Sequence, residues 1–490
     1  MRGGHFPLDV LPAWCLLNDV TFVDAKVQRI EGRGYGLVAE RELRAENDNE
    51  ALAILKVPRD LVLSSEGIEE YAKENKEFRQ LLDAAGRLST RHDILLFLLM
   101  QLVLSSPDHT GSHGVTTPWT QYFSLLSTEI PVPTMWTEPE TARLKGTSLE
   151  ASRLCDPSVR SIYLTRFKPA VSAKLSVLTK EFDAVRAKTE SLPLWYEIFS
   201  VDESVTVCDW VWLDALYRSR SLELPRSGES LVPCLDLVNH SHQHTAYFEE
   251  TNDHQVLLLL RNGAHISPGT EITINYGHKK SAAEMLFSYG FIDPHSTTKS
   301  ISLPLELIDD DPLIKAKLHV FGATPTLEIN EDNGVPRWSA PFVYLMCLNE
   351  EDGLEFRILQ ETDGSRHLRM FWQERDVTDA PGTFKGLING HELQKVFELR
   401  AVTVIYEMVQ QQLERLSTHG RDDSISESVR AVTMQAANQL RNIETDLLKR
   451  AFQVLENERA NLFSDESVLA YLGSMQARQS GDIAEDEDFS

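Results

Sequence analysis

The feature that most constrains the fold is a pair of strand-patterned stretches with a long helical one between them. Val20 to Val27 and Gly36 to Leu43 alternate apolar and polar residues, the period of a strand with one buried face. From about Ser65 to Ser105 the spacing becomes helical, with Ile68, Tyr71, Phe78, Leu81 and Leu82 separated by threes, fours and sevens. Helical patterning continues for the next hundred residues, is interrupted by a loop at Pro131, Pro133 and Trp136, and resumes around 139–154 and 158–186. Between Leu231 and Tyr276 the period returns to two, in short runs such as Val256 to Leu260 and Glu271 to Ile274. Strand segments therefore flank a helical insertion, which is not the order of a simple linear succession of domains.

Beyond Pro294 the pattern reads as helical again, most clearly over 393–416 and 429–455, where Leu440, Ile443 and Leu447 mark one face. A chain of 490 residues is too long for one core and suggests about two to four domains. Hydrophobic residues at 42% and charged residues at 25% are ordinary for a globular protein. The longest apolar run, Ile94 to Leu104, is broken by Gln101 and is far short of the ~20 residues of a membrane span, so it reads as a buried core helix. Pro7, Asp9 and Pro12 interrupt the start where a secretory signal needs apolar residues; cytoplasm or nucleus is the expected location.

Seventy-four acidic against 48 basic residues leave a formal charge of −26. That sign opposes binding to a phosphate backbone, so no direct nucleic-acid partner is expected. It serves solubility and also suits a basic protein partner. Five cysteines, widely scattered and with no CxxC pair, indicate neither a disulfide framework nor a zinc site, and no metal is expected. The last ten residues carry five acids and no base, the composition of a solvated tail.

Three segments could carry chemistry. Gly32-Arg33-Gly34-Tyr35-Gly36 has GxGxG spacing and precedes a strand, whereas a dinucleotide-binding loop needs GxGxxG and a following helix. It reads as a strand turn whose missing side chains let another group approach the backbone. The apolar run from Leu231 ends abruptly in Asn239-His240-Ser241, strong hydrogen-bonding groups that require partners. His240, His242 and His244 alternate but match no metal-ligand spacing. Finally, Gly269-Thr-Glu-Ile-Thr-Ile-Asn-Tyr-Gly277 closes on a Tyr-Gly pair, and Glu284-Met-Leu-Phe-Ser-Tyr-Gly-Phe291 repeats that pair thirteen residues on. A helical turn between them could bring two phenols together.

In this order, GRGYGLVAERELRA, DLVNHS, GTEITINYG and AEMLFSYGF resemble the SET-domain protein methyltransferases. They resemble most closely the subgroup of the Rubisco large-subunit lysine methyltransferase and the ribosomal-protein lysine methyltransferases. The likeness covers about residues 15 to 295 well and the rest only through its helical pattern. It implies an α+β fold: a split SET domain of small β-sheets with a knot-like crossing and a helical insertion, then a mainly α-helical C-terminal domain. The implied boundaries are 15–95 and 206–295 for the SET halves, 96–205 for the insertion, 296–475 for a helical substrate-binding-like domain, and 476–490 for an acidic disordered tail.

The resemblance also implies S-adenosylmethionine as methyl donor, held by Arg33, Gly34, Tyr35 and Gly36 through backbone groups, and by Arg220, Asn239, His240 and Tyr276. Tyr276 matches the catalytic tyrosine, Tyr289 the second aromatic of a lysine channel, and Tyr247 is a candidate third. The zinc-binding cysteine cluster that follows many histone-directed relatives is missing, which moves the expected substrate to a non-histone protein presenting a lysine, such as a ribosomal protein. Arg33 stands where close relatives often carry an acid. The expected activity is protein-lysine N-methylation; protein-histidine methylation and a silent SET-fold binding module are the alternatives.

Overall fold

In the computed structural model, residues 7–45, 52–106, 116–151, 170–296, 298–308, 310–360, 366–419 and 429–475 are described. The glycine cluster makes a hairpin: strands Ala25–Ile30 and Gly34–Ala39 pair antiparallel from Ala25 opposite Ala39 to Ile30 opposite Gly34. Gly32 and Gly34 sit at φ of 71° and 76°, a region closed to most side chains, and this lets the chain reverse so tightly.

Three sheets of the first unit are each shared by stretches far apart in sequence. Glu271 and Ile272 pair with Val38 and Leu37, extending the hairpin to three strands. His265–Ile266 pairs with Leu43–Arg44. A four-stranded sheet runs in the order Thr21–Phe22, Ala53–Val57, Val256–Leu260, Ala246–Glu250. The inward residues Leu37, Ala39, Ile54, Leu55, Leu258, Leu260 and Ile272 belong to one core, so burial requires both ends of the segment and the intervening helices must loop out.

The helix Thr90–Ser105 starts at Ser89, whose Oγ accepts the His92 N–H at 3.2 Å. Its residues 92–104 are all buried, which places the apolar run inside the protein. Among the described residues no helix is long and apolar enough to cross a membrane. Beside it, the helix Val207–Arg220 carries Asp214, fully buried and held by Arg91 (2.6 Å), Arg218 (2.8 Å) and Lys174 (3.0 Å). Desolvation would raise this carboxyl, but Lys174, Arg218 and Arg91 together bring it down to about 2. Arg218 also donates to Phe287 O at 2.5 Å and Thr134 Oγ1 at 2.7 Å, tying the segment before Tyr289 to the helical core.

The chain divides into two compact units: Met1–Trp136, Lys174–Lys280 and Glu284–Ser296 form one, and Thr137–Ala173, Ser281–Ala283 and Thr297–Ser490 the other. The residues expected to form one helical insertion are thus shared between both. In the second unit, the piece after Trp136 is pinned to the helix Ala431–Phe463. Glu140 pairs with Arg430 at 2.6 Å, and Glu444 accepts from Ser148 N at 2.9 Å and from the Ser148 hydroxyl. The stretch expected as a helix over 158–186 is described from Ala170, where a helix runs to Lys188; its beginning and the acidic tail lie outside the described residues.

Beyond Pro294 the reading of helix alone needs correction. The second unit has the long helices Gln394–His419 and Ala431–Phe463, and also two three-stranded antiparallel sheets. One joins Ser300–Pro304, Thr326–Asp332 and Val335–Ser339; the other joins Leu354–Gln360, Arg366–Trp372 and Arg375–Asp376. The overlooked signal is Asn333-Gly334, both at positive φ (50° and 82°), the dipeptide of a tight hairpin. Before the turn, Leu327 and Ile329 face inward on either side of the exposed Glu328. Charge density hid a period of two that the core, through Phe342, Leu345, Phe397 and Leu447, depends on.

Candidate active site

The Asn239-His240-Ser241 segment passes alongside Ile274 in parallel: Ile274 N–H donates to Asn239 O at 3.0 Å and Ser241 N–H to Ile274 O at 2.9 Å. The polar end of the apolar run is therefore drawn into the site by main-chain bonds on both sides. Asn239 Nδ2 donates to Tyr35 O at 3.1 Å and to Glu271 Oε1 at 2.8 Å. A Cβ on Gly36 would lie 2.7 Å from that Nδ2, 2.5 Å from Ile30 Cδ1 and 2.8 Å from Glu271 Oε1. The group that Gly36 admits to the backbone is thus the protein's own Asn239. At Gly32 and Gly34 the corresponding space is open among the described residues.

The Arg33 side chain is used within the protein: its guanidinium donates to Glu271 Oε2 and to the His240 carbonyl. It leaves the backbone of 33–36 as the part of this turn that can meet a ligand.

His240 is held in one tautomer. Tyr276 N–H donates to its Nδ1 at 3.1 Å, so the ring proton is on Nε2, which donates to Asp293 Oδ2 at 3.1 Å. Burial pulls the imidazole below its usual value, outweighing the opposing pull of Asp293, and the neutral form agrees with the bonding. Asp293 also accepts the His242 N–H at 3.2 Å and the His295 N–H at 2.9 Å.

Tyr276 donates its hydroxyl to Val238 O at 2.8 Å. Burial pushes the phenol above the tyrosine range; Arg220 opposes this, and Tyr289 and Asp236 add to it. The Tyr289 ring is 4.7 Å from that of Tyr276, with His240 at 5.3 Å from Tyr276 and Phe291 within 6.4 Å of all three. The helix Ala282–Tyr289 between the two Tyr-Gly pairs does bring the phenols together. Tyr247, by contrast, lies on the strand Ala246–Glu250 opposite Leu259 and has no ring contact with Tyr276 or Tyr289 among the described residues.

Arg220 caps the far side. Its Nη1 donates to Asp236 Oδ2 at 3.0 Å and Asp236 O at 3.1 Å, while its Nε is buried with no partner among the described residues. Asp236 also accepts the Tyr122 hydroxyl, which in turn accepts the Cys234 N–H at 2.8 Å. Burial pushes the Asp236 carboxyl up, against the pull of Arg220. Reading the sequence missed all three carboxylates that hold this site, Glu271, Asp236 and Asp293. Asp236 and Glu271 sit inside the motifs themselves, and their exclusion from water by neighbouring apolar residues was the one available signal. Among the described residues no group of His, Cys, Asp and Glu is arranged to hold a metal.

Sheets shared by two distant stretches, a threaded Asn-His segment and a strand closing on Tyr276 define a split SET fold. The SET domain of LSMT, solved with lysine and AdoHcy bound, shares it, with a TM-score of 0.63 at 21% identity over 93% of this chain and 92% of that one. In sequence the chain is similar to SET domain-containing protein 8 of Schizosaccharomyces pombe, 27% identical over 72% of this chain and 75% of that protein. It is also similar to the ribulose-1,5 bisphosphate carboxylase/oxygenase large subunit N-methyltransferase of Pisum sativum, 26% identical over 69% of this chain and 64% of that one. An actin-histidine N-methyltransferase of Gallus gallus aligns at 22% over 72% of this chain and 54% of its own. No protein-family model matches the chain. In sequence and fold together it resembles the SET-domain methyltransferases of the Rubisco large-subunit group.

Proposed function

We propose that the protein is an S-adenosylmethionine-dependent protein-lysine N-methyltransferase acting on a non-histone protein. The observation that carries this reading is Tyr276, whose hydroxyl is fixed on Val238 O and whose ring is packed between His240 and Tyr289. Two features of the site fit the donor. The buried Arg220 Nε has no partner among the described residues and suits a carboxylate, and the turn at Gly32 and Gly34 leaves main-chain groups open to a ligand. Arg33, Gly34, Tyr35 and Gly36 would hold the donor through their backbone, with Asn239, His240, Arg220 and Tyr276 around it. When bound, the donor supplies an electrophilic methyl on a positively charged sulfur.

The protein's own residues then have three tasks. The first is to present a neutral amine: a free lysine has a pKa of about 10.4, so at pH 7 the neutral form costs roughly 4.6 kcal/mol. The half-buried aromatic ring of Tyr276, Tyr289 and Phe291 lowers that cost by disfavouring the ammonium. The second is alignment, which can contribute several kcal/mol when reacting atoms are held in line. The third is electrostatic. Because Tyr276 gives its proton to Val238 O, its oxygen lone pairs would present a fixed partial negative charge to the methyl of a bound donor. A phenol pushed above its usual range does not serve as the bulk base, and the amine proton leaves to water.

The net charge of −26 favours a basic substrate, such as a ribosomal protein. Titration calorimetry with S-adenosylmethionine, followed by transfer of radiolabelled methyl in cell extract, tests the reading. Donor binding with label entering one protein, lost in Tyr276→Phe, is expected; a folded wild type that binds no donor would refute it. Hydrolysis of the labelled protein distinguishes methyl-lysine from methyl-histidine.

A further inference from the structure

Lys280 lies four residues beyond Tyr276, and its Nζ donates to the Tyr289 hydroxyl at 3.0 Å while sitting 5.1 Å from the centre of that ring. Tyr289 Oη is in turn 3.5 Å from the Tyr276 carbonyl oxygen. The lysine stem is seated rather than free: a Cβ on Gly277, at φ 142°, would lie 2.8 Å from Lys280 Cε and 3.2 Å from its Cδ and Cγ. Gly277 thus opens the path that the stem follows. Among the described residues no carboxylate is paired with Lys280.

We propose that Lys280 is a positioning residue acting through Tyr289: its positive charge at the phenol disfavours the protonated form of an arriving acceptor amine and so helps to present the neutral one. The proposal rests on the reading of Tyr276 and Tyr289 as the acceptor channel. Two like charges about 5 Å apart, partly screened by water, repel by enough to shift an amine's titration by about one pH unit. The other charged and titratable groups around the channel are matched or common to every variant: Arg33 with Glu271, Arg220 with Asp236, His240 with Asp293, and His278, Lys279 and Glu284 beside the loop. A difference between variants therefore reports on Lys280.

The test is the pH dependence of kcat at saturating substrate, with kcat/KM alongside, for methyl transfer to the labelled substrate protein by wild type, Lys280→Met and Lys280→Arg, with donor affinity measured by calorimetry. In Lys280→Met the acid limb of the kcat profile moves up by about one unit, lowering kcat about tenfold at pH 7. Lys280→Arg, which keeps the charge, stays near wild type, and donor affinity is unchanged in both. An unshifted limb in Lys280→Met overturns the proposal, as does a Lys280→Arg variant shifted like the methionine one, which would assign the effect to packing. A rise in kcat/KM on removing the charge also overturns it and makes Lys280 a plug. Each of these outcomes leaves the methyltransferase reading intact; a wild type that transfers no methyl would refute both.

Discussion

Asp293 is the most informative residue to perturb, because replacing one of its oxygens by NH₂ cannot satisfy its three donors. Oδ2 accepts from His240 Nε2 and His242 N, and Oδ1 from His295 N. In Asp293→Asn the amide can turn its oxygen toward the two histidine donors, in which case NH₂ meets the His295 N–H. The reverse orientation sets NH₂ against His240. In the second case His240 can answer only by moving its proton to Nδ1, where it would confront the Tyr276 N–H, 3.1 Å away. One unsatisfied buried donor costs about 1–3 kcal/mol. With about 2 kcal/mol lost, Tm falls by roughly 4–8 °C for a domain of this size. Displacing Tyr276 lowers kcat further than stability alone accounts for, by about tenfold or more. Thermal unfolding and the methyl-transfer assay measured on one preparation check both parts. An Asp293→Asn variant with wild-type Tm and a kcat within twofold would refute the tautomer argument, whereas lost Tm with full kcat would leave Asp293 a structural residue only.

Other outcomes follow from the same geometry. Gly36→Ala drives a methyl into Asn239, Ile30 and Glu271, all within 2.8 Å, and should weaken donor binding at least tenfold by calorimetry. Tyr276→Phe removes the bond to Val238 O and the lone pairs at the methyl; kcat should fall about 10²–10³-fold with circular dichroism unchanged. In the second unit, burial raises Glu444 to about 7 despite its bonds from Ser148. A carboxyl raised in the folded state destabilises once the unfolded chain ionises, so stability should fall from about pH 4.5 to about pH 7 and level off above, by about 3 kcal/mol in all. Glu444→Gln should flatten that slope in urea unfolding measured at several pH values.

The split organisation was legible because two patterns of different period are hard to mistake when each runs for many residues. The long helices were legible for the same reason: Thr90–Ser105, Gln394–His419 and Ala431–Phe463 follow the spacing that marks them. The sheets after Pro294 were not, because the exposed Glu328 stands between Leu327 and Ile329 and the Asn-Gly turn outweighs propensity only once the strands pair. At the site, the phenol pair could be expected from two Tyr-Gly repeats joined by a helical turn, whereas Tyr247 could not be placed from its neighbours.

By itself, then, the sequence showed the alternation of strand and helix periods in the first unit and that its strands come from two distant stretches, and it singled out Gly36, Asn239, His240 and Tyr276 as candidates for the chemistry. Only the tertiary structure decided that Gly36 makes room for Asn239, that Arg33 spends its charge on Glu271 and the His240 carbonyl, and that Asp293 selects the His240 tautomer. The reason is physical. Strand and helix periods are set by neighbours in the chain, while a carboxylate's partner is set by which donor the fold removes from water beside it. Asp293 and His240, separated by 53 residues, meet only because the threaded segment is bonded to Ile274.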